Sequence, residues 1–295
     1  MGPKIEIIPP QQLVEEFSEF LRQAGNSPAT IRNRHGDITA LIRWSEARNG
    51  QSFATQEFVA ADIDEYRKWL FSKFKVTTAN RRLTTLNVFL KWAAAKRIIK
   101  RQLPGLRHLS QPDKCPSLPH TLDATELNRL LELVESSGDL KEIVAIRLII
   151  DCGLRVSELC ALKWDDVIVA NDKGVVTLGP PTSIKLIAVP LPDKTRVALA
   201  ALWASRSPSA SPNVLNGRTG PISRRAIEML VSRWARKAGL QTVTPKVLRR
   251  SFMLDLIRSG VDPRLITLWA GNEITELARR YGSIELRAPS TTYKF

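Results

Sequence analysis

Histidine is nearly missing from this chain of 295 residues, and its distribution matters more than its count. His35, His108 and His120 are the three present, so nothing after Thr121 offers an imidazole for acid–base work or for a metal. Cysteine is as scarce. Cys115, Cys152 and Cys160 are odd in number and lack metal-ligand spacing, which excludes a disulfide framework or a zinc ribbon and suggests reduced cytosolic thiols. Phenols are limited to Tyr66, Tyr281 and Tyr293. No apolar run is long enough to span a bilayer and no signal-peptide pattern opens the chain, so the expectation is a cytoplasmic protein with no membrane partner. Carboxylates are the minority charge, 29 against 44 Lys and Arg, a formal net charge of +15. That excess implies a polyanionic partner, without saying whether it is nucleic acid or a lipid surface. Nor is there a carboxylate cluster for a pair of metal ions. Asp165 and Asp166 are adjacent, so their side chains diverge, and they read as turn or capping residues.

What the chain does have is helical punctuation. After a short irregular arm, apolar stripes recur with helical spacing: Leu13, Phe17, Phe20 and Leu21; Ile31, Ile38, Leu41, Ile42 and Trp44; Ile63, Tyr66, Trp69 and Leu70; then Leu83, Leu86, Phe89, Leu90 and Trp92. Ser27-Pro28 starts the second helix, and Thr77 or Thr78 is expected to start the fourth. Residues 8–103 therefore form an all-α bundle of about four helices. Its polar faces carry Arg32, Arg34, Lys73, Lys75, Arg81, Arg82 and Lys91, a density of cation that suits contacts to phosphate. Residues 104–120 are Pro-containing, polar and without periodicity, and read as a linker.

A second domain is expected over 121–295. It opens on a capping box, Asp123-x-x-Glu126, followed by an apolar helix through Ile143–Ile150. That helix ends in a glycine turn, Cys152-Gly153-Leu154, which presents Arg155 from a rigid support, with Glu158 placed to orient it. Strand-like segments follow at Val167–Val169, Val175–Leu178 and Ile184–Pro190, and helices at 193–205 and 223–238. The fold class is mainly α with a small antiparallel sheet. The most punctuated stretch is Thr244–Tyr281. Thr244 and Pro245 form a helix start, Gly260 ends that helix, Asp262-Pro263 starts another, and Asn272 can cap a third. Lys246 and Arg249, three apart, share one face near a helix N-terminus, where an anion is favoured.

Two motifs carry a resemblance. Gly153-Leu154-Arg155-Val156-Ser157-Glu158-Leu159 resembles the Gly-Leu-Arg-x-Ser-Glu-Leu motif of tyrosine recombinases, the phage-integrase and Xer-like family. Lys246-x-x-Arg249, Ala270-Gly271-Asn272 and Tyr281 resemble its His-x-x-Arg pair, its Leu-Gly-His and its nucleophilic tyrosine. The chain departs from the pattern at Lys246 and Asn272, both of which replace histidine.

The resemblance implies an N-terminal core-binding bundle and a C-terminal α+β catalytic domain. It implies a catalytic set of Arg155, Lys185, Lys246, Arg249, Asn272 and Tyr281, with Arg250 and Glu158 in support. Tyr281 would attack phosphorus to leave a 3′-phosphotyrosine and a free 5′-hydroxyl, and the cations would hold the charge that builds on the nonbridging oxygens. Lys185 stands where a lysine would protonate the leaving oxygen, and Lys173 is the weaker candidate. The expected partners are a double-stranded recombination site and three further copies of the chain, with no cofactor and no metal. Two other activities stay open: a type IB-like topoisomerase, and a catalytically inactive relative that binds or shapes DNA.

Overall fold

A computed structural model describes residues 8–54, 58–99, 120–170, 173–179, 187–207, 211–262 and 264–266. The chain divides into two compact units, Met1–Pro116 and Ser117–Phe295. Apart from His120, the expected linker lies outside the described residues.

The first unit holds four helices: α1 (Pro10–Gln23), α2 (Pro28–Asn49), α3 (Ala60–Lys73) and α4 (Val76–Ala95). Ser27 Oγ caps α2 by accepting the Thr30 N–H at 3.2 Å, and Gly50 closes it in the left-handed region. The fourth helix starts earlier than expected, at Val76. The connection from α3 is only Phe74 and Lys75, so the chain is already helical when it reaches Thr77 and Thr78. Most stripe residues are buried, with Phe17 edge-on to Phe89 at 5.3 Å at the centre, but Phe20 is exposed and Trp69 only half-buried. Ile31 and Trp44 are only half-buried, and Trp44 tilts against Tyr66 with centroids 4.9 Å apart.

One carboxylate organises the cations of this bundle. Asp37 on α2 is buried; it accepts from Arg81 Nη2 at 2.8 Å and from Thr85 Oγ1 at 2.9 Å, and Arg81 Nη1 completes a bidentate pair. Arg82 lies 4.1 Å over the Phe74 ring. The arginines at 81 and 82 thus tie α4 to α2 and α3.

The second unit is layered around α6 (Leu140–Ile150), whose residues Ile143–Ile150 are all buried. Against it pack α5 (Ala124–Glu135), α8 (Asp193–Ala204), α9 (Arg224–Lys237) and α10 (Pro245–Arg258), with the short α7 (Val156–Ala161) beyond its C-terminal turn. The capping box forms, Glu126 N–H donating to Asp123 Oδ1 at 2.8 Å and Asp123 N–H to Glu126 Oε2 at 3.0 Å. A single-turn 3-10 helix, Trp164–Asp166, leads into the sheet; Asp166 Oδ2 accepts the Lys163 N–H at 2.9 Å, a capping role as expected. The strands β1 (Val167–Val169), β2 (Gly174–Leu178) and β3 (Ile187–Pro190) lie in the order β1-β2-β3, both pairs antiparallel, with Val176 opposite Val167 on one side and Val189 on the other. Residues 184–186, assigned above to the third strand, lie outside the described residues. Among the described residues no helix is long and apolar enough to cross a membrane.

Arg147 interrupts the apolar run of α6 and is buried. It pairs with Glu135 on α5 and donates from Nη1 to Asp151 Oδ2 at 2.7 Å, and Thr195 Oγ1 of α8 donates to the same oxygen at 2.6 Å. A cation buried without partners is costly, and the carboxylates of Glu135 and Asp151 supply them, the second fixed in turn by Thr195.

Tyr66 generates a pH prediction. Its side chain is 1% exposed, and among the described residues its hydroxyl has no hydrogen-bond partner. Burial pushes its pKa up to about 12, against the opposing pull of the nearby Arg82 guanidinium. Between pH 10 and 12 the unfolded chain gives up this proton and the folded chain keeps it, so stability falls as pH rises through that window. The loss is on the order of 3 kcal/mol. In Tyr66→Phe this contribution should vanish, while stability at pH 8 should stay within about 1 kcal/mol because an unpartnered hydroxyl is removed. Urea unfolding of both proteins across the alkaline range measures the difference.

Candidate active site

The turn that presents Arg155 is built by the C-terminus of α6. Gly153 takes φ +64°, and the chain doubles back so that the Gly153 and Leu154 N–H groups return to the carbonyls of Ile149 and Leu148, each at 3.1 Å. A non-glycine residue is uncommon in that region of backbone space. Arg155 then stands at the N-cap of α7. Glu158 holds it twice, accepting its backbone N–H at 2.7 Å and its Nη1 at 2.8 Å. The Arg155 side chain remains 35% exposed, so the guanidinium is aimed but reachable.

The second group of cations rides on α10. Thr244 Oγ1 accepts the Val247 N–H at 3.4 Å and Pro245 fills the first turn, as the sequence suggests. Lys246 is exposed, Arg249 is buried at 6% exposure, and Arg250 is half-buried. The spacing Lys246-x-x-Arg249 thus leaves one cation exposed and one buried. Because α10 packs on α6, the turn of Arg155 and the first turns of α10 belong to one packed body. Val156, next to Arg155, and Lys246 at the start of α10 line a groove of about 710 Å³ with Glu228, Ser232, Arg236, Gln241 and Thr242 among others; Arg155 and Arg249 themselves are not part of its lining. The groove wall includes Thr242 at φ +56°, a conformation uncommon outside glycine.

Nothing in the sequence marks Arg236, Gln241 and Thr242 as lining this groove. They sit at the end of α9 and in the connection to α10, and only the folded approach of α7 makes them a wall. Arg147 left a faint signal, a lone arginine four residues before Asp151 in an otherwise apolar helix, the spacing of an intrahelical pair.

Lys185, Asn272 and Tyr281 lie outside the described residues. Lys173 is exposed in the β1–β2 turn, where its carbonyl accepts the Ala170 N–H at 2.8 Å. In the first unit Arg32, Lys73, Lys75 and Lys91 are exposed; Arg34 is half-buried and donates to Asn26 Oδ1 at 3.5 Å. Arg81 and Arg82 are engaged by Asp37 and Phe74 as described. The two thiols within the described residues are not poised for chemistry. Burial, then the neighbouring Asp151 carboxylate, pushes Cys152 well up, and burial also raises Cys160.

An exposed ammonium and a buried guanidinium on the first turns of a helix are the groups that favour an anion there. Comparison with known proteins bears on the family. The profile of the phage integrase family matches residues 120–285, and that of the phage integrase N-terminal SAM-like domain matches residues 14–97. Tyrosine recombinase XerC of Xylella fastidiosa is 30% identical over 291 residues, covering 96% of this chain and 95% of that protein. Tyrosine recombinase XerA of Thermococcus kodakarensis is 29% identical over 279 residues, covering 93% and 92%. A lambda integrase tetramer bound to a Holliday junction is similar in fold, with a TM-score of 0.64, 18% identity, and coverage of 89% of this chain and 76% of that one.

The double grip of Glu158 on Arg155 is open to test. Glu158→Ala removes both acceptors and should lower stability by about 1–2 kcal/mol, the scale of a lost helix cap and a partly exposed charge-assisted bond. In Glu158→Gln an amide oxygen can still accept the Arg155 N–H, so roughly half that loss is expected. Urea unfolding at pH 7 distinguishes the two.

Proposed function

The chain belongs to the phage integrase family, and we propose that within it Arg155, Lys246, Arg249 and Tyr281 make and reseal DNA strand breaks at a specific site. As a tyrosine recombinase it catalyses cleavage and rejoining without net hydrolysis. Tyr281 attacks the scissile phosphorus, a 3′-phosphotyrosine forms, and a 5′-hydroxyl departs. The covalent bond conserves the phosphodiester energy for rejoining. Arg155 and Arg249 hold the nonbridging oxygens as charge builds on them, Lys246 adds an exposed charged donor, and Asn272 gives a further hydrogen bond. Lys185 protonates the leaving 5′-oxygen. Glu158 and Arg250 support the arginine pair. The observation that supports this assignment is the packing of α10, which carries Lys246 and Arg249, against α6 and the Gly153 turn that leads to Arg155.

Of the other phenols, Tyr66 is excluded as nucleophile by its burial and its raised pKa. The partner is a double-stranded recombination site in the cytoplasm. Breaking four strands takes four protomers, an assembly of the kind the lambda integrase tetramer makes on a Holliday junction. The exposed cations Arg32, Lys73, Lys75 and Lys91 meet the DNA backbone, joined by Arg34; Arg81 and Arg82 serve that surface from fixed positions.

A nicked suicide substrate, which loses its 5′-end after cleavage, traps the covalent adduct. Wild-type protein should accumulate it, and Tyr281→Phe should bind the site equally well yet form none; an adduct in that variant removes Tyr281 from the role. Lys246→Arg keeps charge and donors and should retain about a tenth of the cleavage rate, whereas Lys246→Met should lose about 100-fold or more. With no histidine after Thr121, the rate should show no inflection near pH 6.5.

A further inference from the structure

Arg155 and Arg249 approach one phosphate from different elements, so the elements must be held at one separation. Gly153 stands two residues before Arg155, and Phe252 stands three residues after Arg249. These two meet. A β-carbon on Gly153 would lie 2.3 Å from Phe252 Cδ1 and 2.5 Å from Cε1, distances that no real side chain tolerates. The ring cannot easily yield, because it is buried and belongs to a cluster with Met253, Leu254, Leu256 and Ile266. Each side of the contact is also anchored. Ser251, next to Phe252, accepts the Leu122 N–H at 2.8 Å and donates to the Val247 carbonyl at 3.1 Å. Asp151, two residues before Gly153, is held by Arg147 and Thr195.

We propose that Phe252 is a positioning residue for catalysis: its ring, seated on the bare α-carbon of Gly153, sets the distance between the Arg155 and Arg249 guanidiniums. This rests on the recombinase assignment above. Gly153→Ala pushes α10 away from the Arg155 turn, and a displacement of about 1 Å is enough to cost on the order of 100-fold in rate. Site binding, which uses many other contacts, should change little.

The test uses the full chain on suicide substrates with either a normal scissile phosphate or a methylphosphonate, which lacks the charge that the arginines stabilise. Gly153→Ala should cleave the phosphate about 100-fold more slowly than wild type. Its methylphosphonate cleavage should fall by no more than about a tenth of that factor, because misplaced arginines matter less to a neutral centre. Adding Phe252→Val, which removes the colliding ring atoms, should recover at least about tenfold on the phosphate. Phe252→Leu alone, a milder change that keeps apolar volume, should show the same substrate bias. Equal losses on both substrates in Gly153→Ala and Phe252→Leu overturn the proposal. So does a double variant no faster than Gly153→Ala, which assigns the cost to the left-handed backbone alone. A wild-type protein that forms no adduct on its site instead overturns the recombinase assignment.

Discussion

An apolar helix that must be covered on every side is the constraint from which the second unit follows. Residues Ile143–Ile150 of α6 are buried without a polar face, so α5, α8, α9 and α10 have to sheathe it. Enclosure does two things for the site. It makes the C-terminus of α6 a fixed end from which the Gly153 turn can project Arg155. It also brings α10, with Lys246 and Arg249 on its first turns, alongside that same end. The arginine inside α6 is tolerated because the Glu135 and Asp151 carboxylates pair with it, with Thr195 donating to Asp151 in turn, and the bonds to Asp151 reach to within four residues of Arg155.

The positive charge is put to two different uses. Some cations are engaged within the protein: Arg81, though exposed, is paired with the buried Asp37, Arg82 lies over Phe74, and Arg147 is sealed in the core. Others face solvent, as Arg32, Lys73, Lys75, Lys91 and Lys246 do. Net charge alone treats the two groups alike. Only the second can release counterions from a nucleic acid, since a guanidinium already shared with a buried carboxylate gains less from a phosphate. Arg155 is intermediate, gripped by Glu158 yet 35% exposed, which suits a group that must be both aimed and available.

Much of this was legible in the residues themselves. Period and punctuation place all four helices of the first unit, and the capping box at Asp123 and Glu126 forms as read. The two cations three apart fall on the first turns of α10, where Thr244 and Pro245 predict a start. The fourth helix was misjudged by a residue or two, because a two-residue connection overrides the capping preference of Thr77 and Thr78. Trp44, expected inward, stops at half-burial because its ring spans the edge between Tyr66 and Trp69. The roles of Arg81 and Arg82 were invisible. Their partner Asp37 lies more than forty positions away, and no local spacing announces such a pair.

The sequence by itself determined the local grammar: helix periods, caps, the glycine turn, the excess of cation, and the motifs that assign the family. These rest on interactions within four or five residues, so they survive without knowledge of the fold. The tertiary structure alone decided which cations are free and which are structural. It also decided that Arg236, Gln241 and Thr242 wall a groove beside Val156 and Lys246, and that Phe252 sits on Gly153 across a hundred positions of sequence. Such contacts follow from how close-packed helices exclude empty space. Packing is set by the summed shapes of many side chains, and no single stretch of sequence contains that sum.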